Sequence, residues 1–313
     1  MNTGDLVVLA FLLDLWWGDP RWLPHPVNAV ARFAKSMEGW SRRILAPKLA
    51  GILTTATVVA ATGAATWVLI HLARALHPMA GTLLEIGLLY TCFATKSLVQ
   101  HAEAVRIPLQ AGNFPLARKR VGWMVGRDTH DLDEAEVTRA TLESVGENTV
   151  DGITGPLLFA LLGGPVGAMV YKAASTLDSL FGYRNQRYLA FGWAAARLDD
   201  FLTWLPARLT GPLMLMAGLM PGFWFRHGLE IYRRDRLKHP SPNAAHGEAA
   251  LAGLLGVQLG GPSSYHGKIS HKAQLGDPLQ PLHPGLITKA NVLACTTAVL
   301  GVLTGWLLWF HLG

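Results

Sequence analysis

The sequence predicts an all-α, polytopic helical integral membrane protein with broken or re-entrant helices and large charged cytoplasmic loops. Three observations predict it. Half of the 313 residues are hydrophobic and only 15% are charged; mean hydropathy is +0.27; and uncharged runs recur at about the twenty-residue length that crosses a bilayer. The 27 Lys plus Arg against 21 Asp plus Glu leave a net charge of +6. No Lys/Arg-dense arm with interleaved aromatics accompanies it, so membrane topology and anionic substrates account for the excess and nucleic acid does not. The two cysteines, Cys92 and Cys295, lie in apolar runs without ligand spacing and read as small buried hydrophobes.

Seven apolar segments follow in order within one integral membrane domain, 1–313. Segment 6–17 lacks a basic flank and a cleavage site and contains Asp14, so it reads as a retained, tilted or interfacial helix. Segments 49–73 and 292–310 span a bilayer by length and composition alone. Segment 79–95 carries Glu85, which must face protein or a cavity. Segments 152–171 and 209–225 are interrupted by Gly and Pro, which membrane helices tolerate only where neighbours satisfy the freed backbone. Segment 249–264 is re-entrant or packed core.

Lysine and arginine set sidedness. Six fall in 18–48 and seven in 96–151, against Arg74 alone in 74–82. Segments 49–73 and 79–95 therefore form a hairpin whose tip points outward. The connections 172–200 and 226–248 hold four and five basic residues and also ask to be cytoplasmic. Five strict crossings cannot satisfy all of them, so 152–171 or 209–225 is expected to dip in and return.

The chemistry-bearing residues cluster beside these segments. In "ESVGENTVDG", 143–152, Glu143 and Glu147 are four apart and share a helix face, with Arg139 one turn before. Asp151 ends the stretch. The plain alternative is a solvated helix end with an Arg to Glu pair. Acids at a membrane threshold more often face a cavity or partner, and hard oxygen ligands suit Mg²⁺ shared with phosphates. "YKAASTLDSLFGYRNQRY", 171–188, offers Lys172, Ser175 and Asp178 on related faces, then Arg184, Asn185 and Arg187 after a glycine turn. Such a set suits a phosphate through its basic groups and a metal through Asp178, with a self-capped polar turn as the plain alternative. "RLDDFLTWLPAR", 197–208, adds Arg197, Asp199 and Asp200, which alone look like the acidic complement of a helix N-terminus.

"GRDTHDLDEAEV", 126–137, contributes Arg127 and Asp128, while Asp131, Asp133, Glu134 and Glu136 read as the acidic first turns of a helix. In "HPSPNAAHGEAALAG", 239–253, Ser241 and Asn243 either cap the following helix or donate to a ligand. Histidines show no HxxxH or HExxH spacing, and neither GxxxxGK[ST] nor GxGxxG occurs, so zinc catalysis, a P-loop and a Rossmann turn are not indicated.

"GDPRWLPHPV", "GRDT", "ESVGENTVDG", "STLDSLFGYRN", "ARLDD" with "PARLT", "SPN" with "EAALAG", and "QLGG" before "YHG" resemble, in order and spacing, the adenosylcobinamide-phosphate synthase family, the CbiB/CobD membrane proteins of cobalamin biosynthesis. The resemblance runs from about residue 14 to 277; Ser175 stands where the family pattern has Asn, and "SPNAAHGEAA" departs from its usual "SPNAGWPEAA". It implies an ATP-dependent ligase that joins adenosylcobyric acid to (R)-1-aminopropan-2-ol phosphate as an amide through an acyl phosphate. It implies ATP and Mg²⁺, a multi-pass cytoplasmic membrane location with the site on the cytoplasmic side, lipid contact, and no nucleic acid. A homo-oligomer and an association with later corrinoid-assembly enzymes stay open.

On that reading Glu147, Asp178 and Lys172 are the catalytic candidates. Glu143, Glu147, Asp151, Asp178, Asp199 and Asp200 are the metal-facing acids. Arg127, Asp128, Asn148, Arg184, Asn185, Arg187, Arg197, Ser241 and Asn243 bind substrate or phosphate. A transporter, a Mg²⁺-dependent diphosphate transferase and a non-catalytic corrinoid-binding relative are the rival readings.

Overall fold

The computed structural model describes residues 2–312 apart from 21, 23, 184 and 266. The fold is all-α and polytopic, with one small antiparallel hairpin among the described residues. Four helical runs are long and apolar enough to cross a membrane: Pro47–Leu76, Pro78–Gln110, Glu134–Phe181 and Gly285–His311. They contain the segments 49–73, 79–95, 152–171 and 292–310.

The other three apolar segments make shorter elements. Helix α1 (Thr3–Trp17) has 15 residues, the helix over 209–225 ends early at Ala217 after 14, and the helix over 249–264 has 12. At about 1.5 Å per residue they reach about 18 to 23 Å, short of an approximately 30 Å hydrocarbon core.

The chain folds into two compact units whose stretches alternate in sequence, so no linker marks them. The first comprises Met1–Ala94, Gly155–Thr203 and Val302–Gly313; the second comprises Thr95–Thr154 and Trp204–Gly301.

In the first unit, α2 (Pro26–Ile44), α3 (Pro47–Leu76), α4 (Pro78–Tyr90), α8 (Gly155–Phe181) and α9 (Trp193–Leu202) join α1. Small and β-branched residues, Ala50, Gly51, Thr54, Val58, Thr62 and Thr66, line the buried stripe of α3. They let backbones approach closely, as membrane helix pairs require without a hydrophobic drive. A Cβ at Gly51 would fall 1.8 Å from the Phe191 carbonyl oxygen. At the α3–α4 tip Arg74 donates twice to buried Glu85, at 2.8 and 2.9 Å, so the acid in segment 79–95 faces protein. Helix α8 is broken at Gly163 and Gly164, the latter at φ +57°, directly before Pro165.

The second unit holds α5 (Thr95–Gln110), α6 (Phe114–Val121), α7 (Glu134–Thr149), α10 (Trp204–Ala217), α11 (Phe225–Asp235), α12 (Ala244–Leu255) and the start of α13 (Gly285–Leu312), with α12 packed against α7, α10 and α11. All twelve residues of α12 are buried. Asp133 begins α7 with a reciprocal capping box, its Oδ1 accepting from the Glu136 N–H at 2.8 Å. The acidic run 131–136 is therefore a helix start, as its composition predicts.

Segment 249–264 is buried in its first half, and only that half is helical. Gly256, at φ +63°, ends α12 in the left-handed conformation. Strand β1 (Leu259–Tyr265) then pairs with β2 (Lys268–Leu275), with an irregularity at Gly260 and Gly261, both at φ +81°. A continuous apolar run does not distinguish buried helix from buried strand; the glycines decide it.

Candidate active site

The richest charge constellation lies in the second unit, where α7 and α12 touch backbone to backbone. A Cβ at Gly247 would fall 2.2 Å from the Gly146 carbonyl oxygen, and one at Gly146 would lie 3.1 Å from the Glu248 Cα. Only glycine permits this approach, and it puts Glu147 beside Glu248. Glu248 is buried at 2% exposure. Its pKa is raised well above the usual carboxylate range, first by burial and then by Glu147 and Glu143, with Lys272 and Arg127 opposing. Lys272 is also raised: burial alone would lower it, but Glu248, Tyr265, Glu147 and Glu143 outweigh that. Glu248 thus keeps a proton that an isolated carboxylate would release, the condition for acid–base work near neutral pH, while Lys272 is held as a cation beside it.

Glu143 spends both oxygens on protein donors. One accepts from the buried Arg127 guanidinium and the other from the Gly260 N–H at 2.8 Å. The expected Arg139 to Glu pair does not form. Arg139 reaches instead to the carbonyls of Gly260 and Pro262, the latter at 2.9 Å. Those carbonyls are turned outward where the strand is irregular, and they capture the guanidinium.

Asp128 is likewise tied to the hairpin, accepting from the Ser264 hydroxyl at 2.6 Å and the Gly267 N–H at 2.8 Å. Between these anchors lies a cavity of about 620 Å³, lined in part by Arg127, Asp128, His130, Arg139 and Ser264. The Arg127 Nη1 is buried without a hydrogen-bond partner among the described residues.

The remaining candidates of this unit sit nearby in sequence. Glu147 is exposed and Asp151 half-buried in a π-helical turn, Val150–Thr154. Asn148 donates to the Ser144 carbonyl at 2.8 Å. Asn243 precedes α12 but its side chain makes no cap bond; the Ser241 hydroxyl accepts from the Asn243 N–H at 3.3 Å.

In the first unit, α8 carries Lys172 and Asp178 and ends before Gly182, where the sequence predicts a turn. A Cβ at Gly182 would meet the Asp178 carboxylate at 2.1 Å. The Lys172 charge lies close enough to His25 to act on it: burial lowers the His25 pKa most, Asp19 opposes and Lys172 adds. Asn185 closes a turn by accepting from the Tyr188 N–H at 3.0 Å.

Arg187 pairs with Glu38 at 3.2 Å, and Arg42 donates to the Arg187 carbonyl at 2.8 Å. These residues line a cavity of about 290 Å³. Arg197 is exposed and Asp199 and Asp200 are half-buried. The two acids lie in the last turn of α9, not at a helix N-terminus, because Trp193 starts that helix; the dipole reading fails there. Arg184 lies outside the described residues.

Among the described residues, no three His, Cys, Asp or Glu side chains gather to hold a metal. Mg²⁺ does not require three, since it keeps waters and uses one or two carboxylates plus phosphate oxygens. Within the second unit, exposed Glu147 fits that role better than Glu143 with its committed oxygens.

A family model described as CobD/Cbib protein matches residues 7–294. The chain belongs to the CobD/CbiB family. Among curated relatives of this CobD/CbiB chain, a cobalamin biosynthesis protein CobD of Pelobacter propionicus is 45% identical over 308 residues, covering 97% of this chain and 95% of the relative. The namesake of Geobacter metallireducens is 46% identical over 282 residues, with 90% and 89% covered. That of Leptospira interrogans is 42% identical over 295 residues, with 94% of each covered. No solved structure matches this CobD/CbiB chain.

Sequence reasoning missed Glu248 and Lys272. Glu248 had a signal, a lone acid inside the small apolar run "AALAGLL" and its preceding "HGEA". Lys272 had none, because a lysine in an exposed-looking strand is ordinary.

Proposed function

We propose that this chain is an enzyme of cobalamin biosynthesis, an ATP-dependent ligase joining adenosylcobyric acid to (R)-1-aminopropan-2-ol phosphate. A corrin carboxylate oxygen attacks the γ-phosphorus of ATP, the bond to ADP breaks, and an acyl phosphate forms. The amine nitrogen then attacks the acyl carbon, loses a proton to a base, and expels inorganic phosphate to leave the amide. Such steps demand positioned cations and a base more than a protein nucleophile.

The observation that carries this reading is the Arg127-lined cavity beside the Glu147, Glu248 and Lys272 array. Arg127, anchored by Glu143, keeps one N–H group for an anionic ligand. Glu147 is the acid of this unit best suited to hold Mg²⁺, which when bound would neutralise charge on the transferring phosphoryl group. Glu147 is also the candidate base, with the Glu248 and Lys272 protons next to it. Family membership and the four candidate spans support a membrane-bound enzyme of cobalamin biosynthesis, and the excess of Lys and Arg in its connections favours a site on the cytoplasmic side.

The test is incubation of purified protein with adenosylcobyric acid, aminopropanol phosphate, ATP and Mg²⁺, read by mass spectrometry. One ADP per amide is expected. Amide formed without ATP consumption, or corrinoid bound without turnover, overturns the ligase reading.

A further inference from the structure

Where α10, α11 and the start of α12 meet in the second unit, two arginines converge without a carboxylate. Arg208 donates to the Trp204 carbonyl at 2.7 Å and stacks on the Trp204 ring at 4.0 Å. It also reaches the Asn243 Oδ1 at 3.5 Å. Arg236 donates to the Arg233 carbonyl at 2.8 Å and lies over the Tyr232 ring at 5.5 Å. Neither makes an ion pair among the described residues. Stacking orients a guanidinium while leaving other N–H groups for an anion.

The nearest acid in sequence is already committed. Asp235 takes Arg234 at 2.8 Å, Lys238 at 2.6 Å and the Gly276 N–H at 2.8 Å.

His246 completes the cluster from the first turn of α12. Its Nδ1 bonds the Tyr232 hydroxyl at 3.0 Å, and its Nε2 is buried without a partner on a side chain of a residue 2% exposed. A Cβ at Gly211 would fall 2.2 Å from the Tyr232 ring, so that glycine lets the tyrosine lie across α10. The His246 pKa is lowered to about 4, first by burial and then by Arg208 and Arg236. The local field is positive, and among the described residues no carboxylate pairs with either arginine. Helix α12 also begins here with no side-chain cap on its first N–H groups.

We propose that Arg208, Arg236, Asn243 and His246 form a phosphate-binding site for the terminal phosphate of a small phosphorylated substrate. It is separate from the Arg127-lined cavity. It rests on the ligase reading only for the source of the phosphate, which is either the aminopropanol phosphate or ATP. Two guanidinium groups and a neutral imidazole suit a phosphate dianion, since they supply charge-assisted donors without a competing carboxylate.

Calorimetric titration of the full chain in nanodiscs tests the site with inorganic phosphate, aminopropanol phosphate and ATP. Arg208→Gln with Arg236→Gln is expected to weaken inorganic phosphate and one of the two substrates at least tenfold. Weakening of the amine names that source, and weakening of ATP names the other. Asn243→Asp, which sets a carboxylate beside Arg208 while keeping both arginines and the side-chain volume, is expected to do the same. Unchanged affinity for inorganic phosphate in Asn243→Asp overturns the site, whether or not the double variant folds. Phosphate binding needs no turnover, so a protein that makes no amide but loses phosphate in these variants refutes the ligase and keeps the site.

Discussion

Arg127→Met removes the cation from a pair whose side chains are 4% and 5% exposed. Glu143 is then left buried with one partner, the Gly260 N–H at 2.8 Å, and with the charge of Glu147 nearby. Breaking a buried pair on one side costs about 3 to 5 kcal/mol, because the remaining charge is uncompensated. Glu143→Gln leaves the opposite orphan, a buried guanidinium, and costs a similar amount. The double variant Arg127→Met with Glu143→Gln removes both charges, while the glutamine oxygen still accepts from Gly260. Neutral replacement of a buried pair costs about 1 kcal/mol or less. The singles therefore sum to about 6 to 10 kcal/mol, and with the double costing about 1 kcal/mol or less the cycle yields a coupling of at least about 5 kcal/mol, roughly several thousandfold in the unfolding equilibrium. Unfolding in mixed micelles, followed by circular dichroism as SDS is raised, measures all four proteins. If the two single effects add within about 0.5 kcal/mol, the residues are not coupled and the pair does not hold α7 to its surroundings.

Glu147→Gln and Asp178→Asn are each expected to lower amide formation by orders of magnitude with membrane insertion unchanged; near-wild-type turnover excludes the residue from the chemistry. Asp133→Ala deletes a capping box and is expected to cost about 1 kcal/mol in the same unfolding assay. Turnover should stay within twofold of wild type. Burial alone would raise the Asp235 pKa, but Arg234, Lys238 and the Gly276 amide hold it at about 2 against an ordinary 3.8. That stability is complete above pH about 4 and is lost as pH falls toward 2, so wild type and Asp235→Asn should converge in stability across that window. Glu248 has the opposite sign. Its raised pKa means that ionisation opposes folding as pH climbs above the ordinary glutamate range, so Glu248→Gln should gain on wild type between pH 5 and 8 in thermal melts.

Much of the architecture was readable from local rules. Length and hydropathy locate the four crossing runs, Glu85 announces a buried partner, and the acidic residues after Leu132 announce the cap of α7. Glycine spacing also predicts the break in α8 and the turn after Phe181. The candidate site was readable only in part, because helical spacing says which side chains share a face and not what that face meets. Arg139 stands one turn before Glu143 and looks like its partner, yet outward carbonyls at Gly260 and Pro262 take it, and Arg127 arrives from sixteen residues upstream. Asp199 and Asp200 mislead for a related reason: the neighbouring apolar run suggests a helix beginning, whereas α9 is ending there. Strand β1 hides in the end of an apolar run until the left-handed glycines are seen, and its partner β2 follows in a polar stretch.

The alternation of the two units along the chain governs how the protein can be made. Ribosomal synthesis delivers residues 95–154 of the second unit long before 204–301, with a stretch of the first unit emerging between them. The first unit itself waits for its final strip, where Trp306 donates to Asp5 at 3.2 Å and Trp309 to the Leu161 carbonyl at 3.0 Å. Half-built intermediates therefore carry unmatched surfaces in the lipid until translation finishes, and neither body can be excised as a contiguous fragment. Splitting the gene between residues 154 and 155 and co-expressing the halves would have to rebuild both bodies at once.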